Sequence, residues 1–110
     1  MAHPEFQVKP GKNNQLFFNL TAKNGQVILS SQGYSSKVNC ENGIASVKKN
    51  AQEDTRFERK ESKDGQHFFV LKASNGEIIS KSEMYTSKTS MENGIRSVKT
   101  NAPIAGINYR

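Results

Sequence analysis

With 110 residues, 34% of them hydrophobic, and no tryptophan, the chain is either one small globular unit or two very small ones. A unit of about 50 residues buries only roughly 60% of the surface its unfolded chain exposes, so two halves sharing one core is the favoured arrangement. Apolar runs are too short for a membrane span, no basic leader precedes an apolar stretch, and the lone Cys40 cannot form an internal disulfide; the cytoplasm is the expected compartment.

A net charge of +6 is spread along the chain and forms no basic arm or block. Such an excess favours encounters with nucleic acid or another polyanion, and it is also common on soluble surfaces.

The chain repeats itself at an offset of 51 residues. Phe6 recurs as Phe57, Phe17-Phe18 as Phe68-Phe69, Leu20 as Leu71, Asn24-Gly25 as Asn75-Gly76, and Tyr34 as Tyr85. The longest shared stretch is Glu41 to Ala51, which returns as Glu92 to Ala102. Two copies indicate a duplicated domain, since a solenoid needs three or more repeats.

In each copy a short first strand is expected, over Glu5 to Lys9 and Arg56 to Lys60. Phe6 and Val8 share a face of the first, whereas Arg59 replaces valine in the second, which places that strand nearer an edge. Turns over Pro10 to Asn14 and Ser62 to Gly65 lead into the most apolar strands, Leu16 to Ala22 and His67 to Ala73. Those strands carry aromatics on both faces, Phe18 opposite Phe17 and Phe69 opposite Phe68. One-sided helix cover would leave the far face polar, so the other copy's sheet is expected to cover it.

Asn24-Gly25 and Asn75-Gly76 fit type I′ hairpin turns, followed by third strands over Gln26 to Ser31 and Glu77 to Ser82. The period then changes to three and four. Cys40, Gly43, Ile44, Val47 and Ala51, with Met91, Gly94, Ile95, Val98 and Ala102, each mark one helix face. Ser36 and Ser87 are the expected N-caps, and Asn50 and Asn101 the left-handed ends. Gly43 and Gly94 on the inner stripe predict a close approach of helix to sheet.

Each copy therefore reads as βββα, in an α+β fold made by tandem duplication. The first repeat covers residues 1–51, a short acidic linker 52–55, the second repeat 56–102, and a C-terminal tail 103–110, within one structural unit. The tail has apolar residues with which to dock, but nothing that says where.

The NG turn, the following Ile and Ser, the Tyr-x-Ser-Lys step and the G-I-x-S-V-K-x-N-A helix resemble the YegP-like family, a small bacterial family of unknown function. In this chain they are Asn24-Gly25, Ile28, Ser31, Tyr34, Ser36-Lys37 and Gly43 to Ala51, then their second-copy equivalents. The resemblance covers nearly the whole chain. It implies two antiparallel three-stranded sheets associating as a barrel-like structure with one helix per repeat, and it implies no activity. Gly33 in one copy corresponds to Met84 in the other, so the two approaches to the helix are expected to differ.

Little in the sequence supports catalysis. His3 is terminal, His67 aligns with Leu16, and Cys40 aligns with Met91 on a core stripe where a thiol behaves as a small hydrophobe. No metal-ligand spacing or phosphate loop occurs. A non-enzymatic monomer without metal, cofactor or membrane attachment is expected. Glu41 and Glu92 read as solvated helix flanks.

Three candidate binding surfaces stand out. Lysine in the first turn of a helix opposes the macrodipole, yet Lys37 and Lys88 both sit there. With free amides, the Ser36 and Ser87 hydroxyls and the Tyr34 and Tyr85 hydroxyls nearby, two anion sites are expected at Tyr34, Ser36, Lys37 and at Tyr85, Ser87, Lys88. Alternatively the serines cap, the tyrosines pack and the lysines are solvated. The helix positions Lys48, Lys49, Arg96 and Lys99 are candidates for nucleic-acid phosphates. Phe17 and Phe68, with Thr21 and Lys72 on one face, form a candidate base-stacking platform. Contact with nucleic acid or another anionic partner ranks first, a protein-interaction module second.

Overall fold

The structure, a computed structural model, describes residues 4–110; His3 lies outside them. Its strands are β1 (Glu5–Pro10), β2 (Leu16–Thr21), β3 (Val27–Ser31), β4 (Phe57–Glu61), β5 (His67–Lys72), β6 (Ile78–Lys81) and β7 (Gly106–Tyr109). The helices are α1 (Lys37–Asn50) and α2 (Lys88–Asn101), so both repeats are βββα and the fold is α+β.

Alternation along the strands sets the inner face. Phe6 and Val8 of β1 lie opposite Leu20 and Phe18 of β2, and Phe57 of β4 lies opposite Leu71 of β5. These side chains are buried with Leu29 and Phe69 in one core shared by both copies. Edge-to-face ring pairs, Phe6 with Phe18 at 5.7 Å and Phe57 with Phe69 at 5.6 Å, occur at matching places in the two halves.

The two three-stranded sheets meet side by side, not face to face. Ser30 pairs with Lys81 and Ser31 with Ser80, which joins β3 to β6 and gives one sheet in the order β4-β5-β6-β3-β2-β1-β7. This corrects the expected barrel: β4 and β7 remain as edges and the sheet stays open. The reason lies in the helices. Each crosses the sheet onto the other copy, α1 against β2, β5 and β6, and α2 against β5 and β3. The inner face is thus filled by helix, and no room is left there for a second sheet.

Three further expectations are corrected. Gly25 and Gly76 have positive φ, of 84° and 88°, but Asn24 and Asn75 do not. Gly25 N donates to Ala22 O, and Ala22 N to Gln26 O, which is a three-residue loop with glycine in the left-handed position and not a type I′ turn. Asn50 and Asn101 are not left-handed; they stay in the helix, and Ala51 and Ala102 follow in right-handed conformation. Their side-chain amides bond back to Ser46 and Ser97, which explains why. Finally, the cover over Phe17 and Phe68 is local and not a sheet: Phe17 packs on Gly11 and Gly33, and Lys81 Nζ lies 4.9 Å from the Phe68 ring centre.

The tail forms β7, parallel to β1, with Gly106 beside Glu5 and Tyr109 beside Val8. β4 is an edge strand, as Arg59 suggested, and its FERKE sequence is the charged kind that discourages edge-to-edge pairing.

Candidate functional site

At the helix starts the serines and tyrosines part company. Ser36 Oγ accepts from Asn39 N at 3.1 Å, and Ser87 Oγ from Ser90 N at 3.0 Å, so both are working N-caps. Tyr34 and Tyr85 are tied by backbone bridges to Leu16 and His67, and their rings stack on Phe18 and Phe69 at 6.0 and 6.4 Å. Each hydroxyl then lies beneath its helix, against Gly43 or Gly94. A Cβ at those glycines would fall 2.6 Å from Tyr34 Cζ or 2.7 Å from Tyr85 Cζ. The glycines thus make room for a phenol, not for the sheet.

Burial pushes both phenols above their usual range, helped by Cys40 for Tyr34 and by Glu83 for Tyr85. Cys40 is buried in the core, and burial and then Glu41 raise its thiol. The lysines differ: Lys37 Nζ sits 4.6 Å from the centre of the Tyr109 ring, whereas Lys88 borders a small groove with Arg59, Glu61 and His67.

Glu41 and Glu92 are latches, not solvated flanks. The Tyr109 hydroxyl donates to Glu41, which fastens β7 to α1. Arg59 Nε bonds Glu92 at 2.8 Å, and Arg59 and Lys99 share Asp54 at 3.2 and 2.7 Å. Hydrogen bonds from Lys99 and Arg59 hold the Asp54 carboxyl below its ordinary range, and Arg59 does the same for Glu92.

The four basic helix positions do not form one row. Lys48 and Lys99 each lie over a core-edge ring, Phe6 at 5.8 Å and Phe57 at 5.7 Å, and Lys99 is also committed to Asp54. Lys49 and Arg96 instead line two grooves related by the repeat. One, of about 540 Å³, runs between α1 and the β5–β6 turn, and includes Ser46, Lys49, Asn50, Glu53, Arg56 and Ser74. The other, of about 440 Å³, runs between α2 and the β2–β3 turn, and includes Lys23, Asn24, Asn93, Arg96, Ser97 and Asn101. Crossing of the helices creates both, because each helix end meets the other copy's hairpin.

The second groove has two cations, Lys23 and Arg96, and no acidic side chain in its lining. Arg96 Nη1 donates to Asn93 Oδ1 at 2.9 Å, which steadies the guanidinium. Sequence reasoning missed Lys23 and the role of Asn101, because nothing local shows that a hairpin turn meets the far copy's helix. Repetition of Asn50 as Asn101 was the available signal.

Phe17 and Phe68 are half-buried on the sheet face away from the helices, Thr21 is buried and bonded to Glu5 backbone, and Lys72 Nζ pairs with Glu58 at 2.7 Å. These four do not make an open basic platform. Among the described residues no cluster of three His, Cys, Asp or Glu could hold a metal, and no helix is long and apolar enough to cross a membrane.

The model for a domain of unknown function (DUF1508) matches residues 12–58 and again 62–108. The UPF0339 protein YegP of Yersinia pestis is 46% identical over 101 residues, 92% of this chain and 90% of that protein. A UPF0339 protein of Pseudomonas aeruginosa is 44% identical over 94% of each. The solution structure of Escherichia coli YegP, a protein of unknown function, superposes with a TM-score of 0.92 at 39% identity, covering all of this chain and 95% of that one. A UPF0339 protein of Shewanella oneidensis gives 0.91 at 37% identity, covering 99% and 92%. Matched in both repeats and along nearly its whole length, the chain belongs to the YegP (UPF0339, DUF1508) family.

Proposed function

We propose that this protein is a non-enzymatic binding protein whose partner is anionic, single-stranded nucleic acid foremost, and that contact is made at the groove between α2 and the β2–β3 turn. One observation carries the reading: Lys23 and Arg96 flank that groove, with no acidic side chain in its lining, on a chain of net charge +6. Lys49 extends the basic surface at the related groove, where Glu53 partly offsets it. Contacts of this type depend on phosphate neutralisation and weaken steeply with salt.

Titration of short labelled single strands at two salt concentrations tests this. Tight binding at low salt that fades at high salt is expected, and Lys23→Ala with Arg96→Ala should lower the slope of log K against log salt by about 0.7 per cation removed. Absence of binding at low salt would sink the reading. The helix starts are the second anionic contact in this reading, with Lys88 better placed than Lys37, whose ammonium is already over Tyr109. A phosphate titration that left the Ser36, Lys37, Ser87 and Lys88 amides unmoved would remove them.

A second reading, a protein-interaction module, draws on the apolar groove of about 280 Å³ at the β3–β6 seam, lined by Ile78 and Ile79. Ile78 is 47% exposed there. Undiminished partner capture by an Ile78→Lys variant would count against it.

A further inference from the structure

The two grooves share a floor and differ at one atom. Asn50 Nδ2 donates to Ser46 O at 2.8 Å, and Asn101 Nδ2 to Ser97 O at 2.8 Å. A carbonyl accepts only from a donor, so these bonds fix the amide orientation and put each Oδ1 on the other side. Asn50 Oδ1 is answered by Arg56 Nε at 3.0 Å. Asn101, only 5% exposed, keeps a buried Oδ1 that has no partner among the described residues. Buried acceptors in folded proteins are nearly always paired, so an orphan in a groove calls for a donor.

The repeat explains the difference. At the offset of 51, Arg56 corresponds to Glu5, which offers only acceptors and is engaged by Gln7, Asn108 and Arg110. Counted forward instead, Arg56 corresponds to Ile107, which pairs with Phe6 in β7. Neither donates. One groove is therefore closed by the chain's own guanidinium, and the other has the same floor without that guanidinium.

The charge around the orphan restricts what can fill it. Lys23 and Arg96 disfavour a free guanidinium or ammonium here and favour a neutral N–H carried by a molecule that is anionic elsewhere. A nucleotide has both: adenine N6 and cytosine N4 are neutral donors that side-chain amides read, and in a single strand those edges are exposed.

We propose that the α2 groove holds one nucleotide of a single strand, its exocyclic amine donating to Asn101 Oδ1 and its phosphate lying against Arg96 and Lys23. This rests on the anionic-partner reading above and adds base preference and a count of one site per chain. Thymine offers only its ring N3–H, set between two carbonyl oxygens that would face Asn101 Oδ1, and fits less well. The α1 groove, closed by Arg56, takes no base.

The test is anisotropy of labelled oligodeoxycytidine, oligodeoxyadenosine and oligothymidine of equal length at low salt. The first two are expected to bind about tenfold tighter than the third, and Asn101→Leu should bring all three to a common affinity. Because that variant removes a buried helix-end amide, the unchanged protein is also titrated with cytidine monophosphate and thymidine monophosphate while the side-chain amide resonances are followed. Movement of the Asn101 pair with the cytidine nucleotide, and not of the Asn50 pair, is expected. Equal affinity for the three strands with a stationary Asn101 pair would overturn the base assignment and leave the anionic reading standing. Equal movement of Asn50 would overturn the single site, and no binding by any strand would overturn both readings together.

Discussion

The two halves use mostly the same residues in the core, with Val8 against Arg59, Leu29 against Ser80 and Cys40 against Met91 as exceptions, and different ones at its margins. Phe18 and Phe69, Tyr34 and Tyr85, Gly43 and Gly94 occupy matched places with nearly matched geometry. At the rim the equivalence fails: Asn50 has Arg56 and Asn101 has none, Glu41 is held by Tyr109 and Glu92 by Arg59, and β1 is flanked by β7 while β4 is bare. Packing must satisfy every inner position twice, because both copies contribute to one core. A tandem chain, however, has one internal junction and two ends, so whatever depends on the junction can be present only once.

The largest test of the matched part is Phe18→Ala against Phe69→Ala. Each should cost about 3–5 kcal/mol in denaturant unfolding, and a large difference would show that the halves do not share their core equally. Next, Gly43→Ala and Gly94→Ala push a methyl group into a fixed phenol and should each cost about 1–3 kcal/mol. Parity between them sharpens the comparison. Arg56→Ala makes the first groove resemble the second and strands Asn50 Oδ1, at about 1–3 kcal/mol. Removing Arg96, across the molecule, should change stability by less.

Smaller effects come from titration. The Asp54 and Glu92 carboxyls are held low in the folded protein, so their contribution is present above the ordinary carboxylate range and is lost as pH falls through their folded values. Arg59→Ala should therefore lose less stability on acidification than the parent protein. For Tyr34 and Tyr85 the sign is reversed: raised in the folded state, they favour folding below the ordinary phenol value of 10.0, and that support is lost as pH rises through the folded values. Phenolate absorbance should show one late-titrating group missing in Tyr34→Phe, and likewise in Tyr85→Phe.

Local chemistry made much of this legible. The offset of 51 gave the duplication, the period change at Cys40 gave the helices, and Arg59 marked β4 as an edge. What failed to show in the sequence was whatever depends on one copy meeting the other. Phe17 and Phe68 implied cover on both strand faces, but alternation cannot say whether that cover is a sheet, a loop glycine or a lysine stem. Gly43 signalled a close approach without naming its partner, since Tyr34 reaches it only through the bridge to Leu16. Lys23 is an ordinary turn lysine until α2 is laid across its hairpin.

The position of β7 has one more consequence. Each helix hands the chain to the first strand of a three-stranded unit: α1 leads into β4, and α2 leads to the side of β1, where Gly106 arrives level with Glu5. Topologically the protein is a ring that has been cut once, with β7 as the overlap at the cut. Joining Ala105 to Glu5 through a short bridge, omitting β7 and opening new ends in the Gln52 to Thr55 linker, would give a circularly permuted chain with the same core and the cut moved to the other half.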